Sequence, residues 1–306
     1  MPKRRAPLSA RVAAAVVGVV VIGLALSGCS GSAYDPPAGV RVVASTNVYG
    51  SLAKTIGGSQ VTVTSIIDDP SKDPHEYQAD ARTQLAIARA QVVIENGGGY
   101  DDFVDTMLSA SGNTKVALIN AVKTSGYDSS IADFNEHVFY DYATVRKVVD
   151  TMVADFTKAD PSHATLFADR GASLQRKLAA LQESELNLSG ATSGVAVAIT
   201  EPVPNYLLAA LGMRVVTPIA FSEAVDRGTD VPAAVLQQTL ATLTSGEAKL
   251  LVYNVQTRGP QSDAVLAAAK KAGIPAVPVS ETLPPGLDYV TWQRGVLATI
   301  AQALGH

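Results

Sequence analysis

Short apolar runs alternate with amphipathic stretches twice along this chain, and one long helical pattern separates the two series. The first series of runs covers residues 40–46, 60–67, 92–94 and 116–119; the second covers 195–199, 214–216, 249–255 and 276–279. Runs this short, spaced by helical periods, predict sheets whose strands are mostly parallel, because a parallel neighbour is reached only through a crossover, usually a helix. The intervening stretches carry the helical signals. Val48, Leu52 and Ile56 recur at i, i+4 and i+8 and stop at Gly57-Gly58. Asp80 can cap a helix bearing Leu85, Ala86 and Ala90. Val145, Val148, Val149, Met152, Val153 and Phe156 form an apolar stripe across residues 142–158.

The long pattern opens at Asp160-Pro161, a capping residue followed by a first-turn proline. Phe167, Leu174, Leu178 and Leu181 then share one side as far as residue 188. At 1.5 Å per residue the helix is roughly 40 Å long, at least the height of a small domain. The Ser189-Gly190-Ala191-Thr192-Ser193-Gly194 run breaks the pattern before the second series begins. The expected fold class is therefore α/β: two α/β lobes with mostly parallel sheets, joined by one long rigid helix. The lobes span residues 39–160 and 189–306, and the connecting helix spans 161–188.

The first 38 residues lie outside that plan. Lys3, Arg4, Arg5 and Arg11 precede an uncharged stretch at 12–26, and Leu26-Ser27-Gly28-Cys29 follows. This is the layout of a secretory signal peptide over residues 1–28, with an apolar run short for a membrane span. The Leu-Ser-Gly-Cys end resembles a bacterial lipobox, which makes Cys29 the site of lipidation and residues 29–38 a tether. The expected location is the extracytoplasmic face of the cell membrane. Cys29 is the chain's only cysteine, so neither an intrachain disulfide nor a cysteine zinc cluster is available. Removing residues 1–28 takes the formal net charge from −4 to −8, because four basic residues leave and no acidic one does. That balance argues against nucleic acid as a partner.

Asp73-Pro74-His75-Glu76-Tyr77 is the segment richest in chemistry. It puts an imidazole on a loop leaving a strand, where α/β folds build ligand sites, and Pro74 restricts the loop. Gly97-Gly98-Gly99 lacks the spacing of a dinucleotide site and reads as a strand-to-helix turn. His163 falls in the first turn of the long helix and His306 at the terminus, both expected at the surface.

Asp73-Pro74-His75-Glu76-Tyr77 and Val92-Val93-Ile94-Glu95-Asn96-Gly97 resemble segments of the zinc- and manganese-binding solute-binding lipoproteins of bacterial ABC importers. So do Thr200-Glu201-Pro202, the stretch Val252-Tyr253-Asn254-Val255-Gln256-Thr257, and Ser280-Glu281-Thr282-Leu283-Pro284, in the family's order. The resemblance implies one metal in a cleft between the lobes, no catalysis, a permease of an ABC metal importer as partner, and a monomer. Carried over by residue, it implies His75, His137, Glu201 and Glu281 as metal ligands. His137 sits in Asn135-Glu136-His137-Val138-Phe139, which lacks the family's usual Asp-Pro before the histidine, and Glu136 is the alternative there. Tyr253 and Asn254 end a strand at the presumed cleft, where they either hydrogen-bond a ligand from behind or, for Asn254, cap a turn.

Two imidazoles and two carboxylates suit borderline divalent metals. Oxygen ligands favour manganese more than an all-histidine set does, while zinc gains from the Irving–Williams trend, so zinc and manganese stay open with iron third. Affinity is expected to fall as pH drops through about 6, where histidine protonates. Two other functions compete. A surface adhesin on the same scaffold is compatible with the sequence and could coexist with metal capture. A secreted zinc hydrolase needs an open coordination position and a general base; the chain has no HExxH, and four protein ligands would close the site.

Overall fold

The computed structural model describes residues 39–69, 77 and 80–306. Two four-stranded sheets form, every strand pair is parallel, and the two sheets share one topology. The first contains β1 (Val40–Thr46), β2 (Val61–Ile67), β3 (Val92–Glu95) and β4 (Ala117–Asn120), in the order β2-β1-β3-β4. The second contains β5 (Ala196–Ile199), β6 (Arg214–Val215), β7 (Leu250–Asn254) and β8 (Ala276–Val279), in the order β6-β5-β7-β8. In each sheet the chain order reverses beside the first strand. The crevice between β1 and β3, and that between β5 and β7, therefore open at the strands' C-terminal ends, where open α/β sheets take their ligands.

The central strands β1, β3, β5 and β7 are mostly apolar and buried because helices cover both faces. In the N-terminal lobe, α1 (Asn47–Gly57) and α5 (Tyr142–Ala159) lie on the inner face. The outer layer belongs to α2 (Ala81–Arg89) and α3 (Phe103–Ser111), which bury Ile87, Val104 and Met107 against Val43 and Val93. Asp80 caps α2 as expected, accepting from the Thr83 amide at 2.7 Å. The short helix α4 (Ala121–Ser125) follows β4 directly.

The connecting helix α6 spans Ala164–Thr192, after a single 3₁₀ turn at Pro161–His163. It runs straight through Ser189-Gly190, where the sequence suggests a break. A helical glycine costs only about 1 kcal/mol relative to alanine. The final turn is held by Thr192, whose buried hydroxyl donates to the Leu211 carbonyl at 2.7 Å. The chain turns only at Gly194, whose φ of +77° few other residues accept.

In the C-terminal lobe come α7 (Asn205–Ala210), α8 (Ile219–Asp226), α9 (Ala233–Thr244), α10 (Pro260–Ala272) and α11 (Tyr289–Ala303). The patterns used above do not anticipate α4 or α8. The inner core is continuous across the molecule. Leu52, Phe139, Tyr142 and Phe156 of the first lobe, Leu174, Leu178 and Leu181 of α6, and Tyr289, Trp292 and Val296 of α11 belong to one buried cluster. The lobes share a core rather than meeting at a bare hinge. No helix among the described residues is long and apolar enough to cross a membrane.

Candidate metal centre

Three strands of the second sheet deliver polar side chains to one edge. β5 ends at Ile199 and leads into Thr200-Glu201, β7 ends on Asn254, and β8 ends at Val279 before Ser280-Glu281. Glu201, Asn254 and Glu281 are all buried. The Asn254 amide nitrogen donates to Glu201 Oε2 at 2.6 Å and to Glu281 Oε1 at 2.7 Å. Its oxygen accepts from the Gln256 backbone at 3.1 Å, which fixes the orientation of the amide. The Thr257 hydroxyl donates to Glu201 Oε1, and Gln256 Oε1 accepts from the Glu281 backbone at 2.6 Å. Both carboxylates are thus held from behind by Asn254 at the end of β7, and Glu201 also by Thr257 of the loop that follows.

The first lobe contributes His137, fully buried just ahead of the 3₁₀ turn Val138–Tyr140. Its loop hangs on the turn after β3. The Asp101 carboxylate accepts from the backbone amides of Asn96 and Gly97 at 2.6 and 2.7 Å, and the Asn96 side chain donates to the Glu136 carbonyl at 2.9 Å. His137 Nδ1 lies 2.7 Å from Asn135 Oδ1, and the Asn135 amide nitrogen donates to the Pro202 carbonyl of the other lobe at 3.1 Å. Asn135 Oδ1 is therefore the acceptor and Nδ1 carries the hydrogen, so Nε2 faces the cleft. Glu281 Oε2 lies 3.7 Å from that nitrogen, and Asp226 Oδ1 lies 3.9 Å from it. The imidazole is packed edge-on by Tyr100 and Phe139.

The charges are strongly coupled. Burial opposes a charged imidazole at His137, but the nearby Glu281 carboxylate and the negative charges of Glu136 and Asp226 outweigh it and push His137 up to about 9. Burial and the nearby Glu281 charge push Glu201 up to about 9 as well. In the metal-free protein, protons thus offset negative charge where the carboxylates of Glu136, Asp226 and Glu281 gather around an imidazole nitrogen. The donor set of one imidazole and several carboxylate oxygens suits a divalent transition metal, whose charge those carboxylates could stabilise.

The structure brings together His137, Glu201, Glu281 and Asn254 from the set read in the sequence. His75 and Cys29 lie outside the described residues. Strand alternation turns Tyr253 away from the cleft, and its ring packs into the outer layer with Ala198 and Phe221, which corrects its assignment to the cleft. His163 pairs with Asp160 at 2.6 Å in the 3₁₀ turn ahead of the long helix, at the surface as expected. Three residues beside the centre were not anticipated: Asn135, Thr257 and Asp226. One ligand atom from each of Glu136, His137 and Asp226 lies within 4.8 Å of the others. Asp226 carried one usable signal, an acidic residue in the last turn of a helix, where the dipole disfavours it.

Two like-folded lobes, one long connecting helix and a buried polar centre between them define a two-lobed solute-binding protein. The profile of the zinc-uptake complex component A periplasmic family (ZnuA) matches residues 42–303, and the chain belongs to that family. A manganese-binding lipoprotein, MntA, from Halalkalibacterium halodurans is 23% identical over 244 residues, 72% of this chain and 80% of that protein. Among solved structures, the periplasmic zinc-binding protein TroA from Treponema pallidum superposes with a TM-score of 0.73 at 18% identity, covering 87% of this chain and 99% of that one. The Pseudomonas aeruginosa solute-binding protein FpvC in complex with Mn²⁺ gives 0.70 at 20% identity, covering 87% and 98%. The two structures establish the shared fold, and the family is one of metal-binding solute-binding proteins rather than enzymes.

Proposed function

We propose that the protein captures one divalent transition metal ion, zinc or manganese, in the cleft and delivers it to the permease of an ABC importer. The observation that carries this is the Asn254 amide, which holds Glu201 and Glu281 side by side next to His137 Nε2. Nothing in a folding role calls for two buried carboxylates to share one amide donor beside an imidazole, whereas a bound cation would offset their repulsion. His137, Glu201 and Glu281 act as ligands, and His75, which lies between β2 and α2 in the chain, is the fourth. Asn254 orients the carboxylates from behind, and Asn135 does the same for the imidazole.

Cys29 carries the lipid that tethers the protein, as a monomer, to the extracytoplasmic face of the membrane. The name of the matched MntA, a manganese-binding lipoprotein, supports that placement. The cargo is released unchanged. Because the lobes share a core, release follows a small movement when the protein docks on its permease.

The test is titration of the full chain, purified in detergent, with Mn²⁺ and Zn²⁺, alongside His75→Ala and Glu281→Ala. The expected result is one equivalent bound by the wild type and a large loss of affinity in both variants. Absence of any metal binding by the wild type would overturn the reading.

A further inference from the structure

Asp226 is the last residue of α8, with its side chain nine-tenths buried. Two features make that position unfavourable for a carboxylate by itself. The helix C-terminus repels negative charge, and burial removes the water that would solvate it. Its Oδ1 nevertheless lies 3.9 Å from His137 Nε2, the nitrogen that Glu281 Oε2 approaches at 3.7 Å. Two carboxylates, one from α8 and one from the loop after β8, thus reach the same imidazole nitrogen, with a Glu136 oxygen also nearby. α8 is anchored by Phe221, buried in the outer core of the C-terminal lobe. Asp226 also lines a cavity of about 490 Å³ between the lobes, walled by Asn135, Glu136, Pro202, Ser222 and Glu223 among others. The cavity thus reaches Asp226, which stands 3.9 Å from His137 Nε2.

We propose that Asp226 is a direct ligand of the captured ion and shifts the competition for the cleft from zinc toward manganese. This rests on the reading of the cleft as a metal centre. With Asp226, three carboxylates contribute alongside the His137 and His75 imidazoles of the proposed centre. Zinc in closed protein sites is satisfied by four tetrahedral ligands, mostly nitrogen and sulfur. A hard ion with a higher coordination number gains more from an added carboxylate oxygen. The chemical class favoured is therefore a hard, high-coordination divalent cation.

The experiment uses the full chain in detergent as wild type, Asp226→Asn and Asp226→Ala. Each is titrated with Mn²⁺ and Zn²⁺ in competition with a chromophoric chelator, and the Mn²⁺-loaded forms are examined by X-ray absorption. The expected result is a loss of Mn²⁺ affinity of at least about tenfold, a smaller loss for Zn²⁺, and fewer oxygen neighbours around manganese in Asp226→Ala. Zinc binding retained by the variants reports that they are folded, and the near-isosteric Asn variant carries the test if Ala fails to fold. Equal losses for both metals, or an unchanged manganese spectrum, would overturn the role of Asp226 and leave the metal centre standing. Failure of the wild type to bind either metal would overturn both.

Discussion

His137 Nδ1 lies 2.7 Å from the side-chain oxygen of Asn135, and this contact selects the imidazole nitrogen that faces the cleft. The same asparagine donates to Pro202 of the opposite lobe, so one residue sets the tautomer and ties the two halves of the centre together. Replacing Asn135 with alanine removes both bonds. Groups that orient a metal-binding histidine from behind are worth about 10–100-fold in affinity. Asn135→Ala should therefore lose metal affinity in that range while its metal-free stability falls by only about 1–3 kcal/mol. Chelator competition and denaturant unfolding on the same samples check the split. Affinity within twofold of wild type would show that the tautomer is set elsewhere.

Asn254 is the corresponding device for the carboxylates. Asn254→Leu keeps the approximate volume but leaves Glu201 and Glu281 without their shared donor. Metal affinity should fall at least about tenfold. Asn254→Asp, which adds a third charge at the same point, should be the less stable of the two variants when metal is absent. Thermal melts in chelator, with and without excess Mn²⁺, order the two.

The pH dependence follows from protons held at the centre. His137 sits at about 9 against an ordinary 6.5, and Glu201 at about 9 against an ordinary 4.5. Between those limits the folded, metal-free protein binds more protons than the unfolded chain, so its stability falls as pH rises. The contribution of charged His137 is complete below 6.5 and gone above about 9; the penalty of ionising Glu201 grows over the range up to about 9. Glu95 and Glu185, both pushed up to about 7 chiefly by burial, act in the same direction. Metal must displace the His137 and Glu201 protons, so affinity should climb with pH to about 9, a window higher than the one near 6 that an ordinary histidine gives. Calorimetry at pH 7 in buffers of different ionisation enthalpy should show protons released on binding. A metal-free melting temperature that rises between pH 5 and 9, or binding without proton release, would contradict this.

Little lobe opening should accompany metal loss. The Tyr140 hydroxyl donates to the Ser280 carbonyl at 2.9 Å, the Tyr289 hydroxyl to the Phe139 carbonyl at 2.7 Å, and Asn47 exchanges two bonds with the backbone of Leu283. Wide opening would break these and expose the shared core. Small-angle scattering curves of metal-free and Mn²⁺-loaded protein should overlay. Tyr289→Phe should cost about 1 kcal/mol of stability, read by denaturant unfolding. Clear expansion of the metal-free form would refute the shared-core account.

The alternation of strands and helices was legible because the central strands are mostly apolar and covered on both faces, as β1 and β3 are. The extension of α6 to Thr192 was not, because what holds it is a tertiary bond to Leu211 rather than anything in the local pattern. α8 was missed because it is short, its flanking Pro218 offers no side-chain cap, and its burial centres on Phe221. Asp226 went unnoticed with it. Glu201 and Glu281 are ordinary carboxylates in sequence; only the parallel order of β5, β7 and β8 brings them to one edge. Tyr253 and Asn254 end the same strand, yet neighbours on a strand face opposite ways, and only Asn254 reaches the two carboxylates.

The measurement closest to the central claim is metal content after dialysis of the full chain against limiting Mn²⁺ and Zn²⁺, for wild type, His137→Ala and Glu201→Ala. The account predicts one equivalent in the wild type and substoichiometric metal in each variant, with both variants still melting cooperatively. A full equivalent retained by folded His137→Ala and Glu201→Ala would place the metal elsewhere and contradict it.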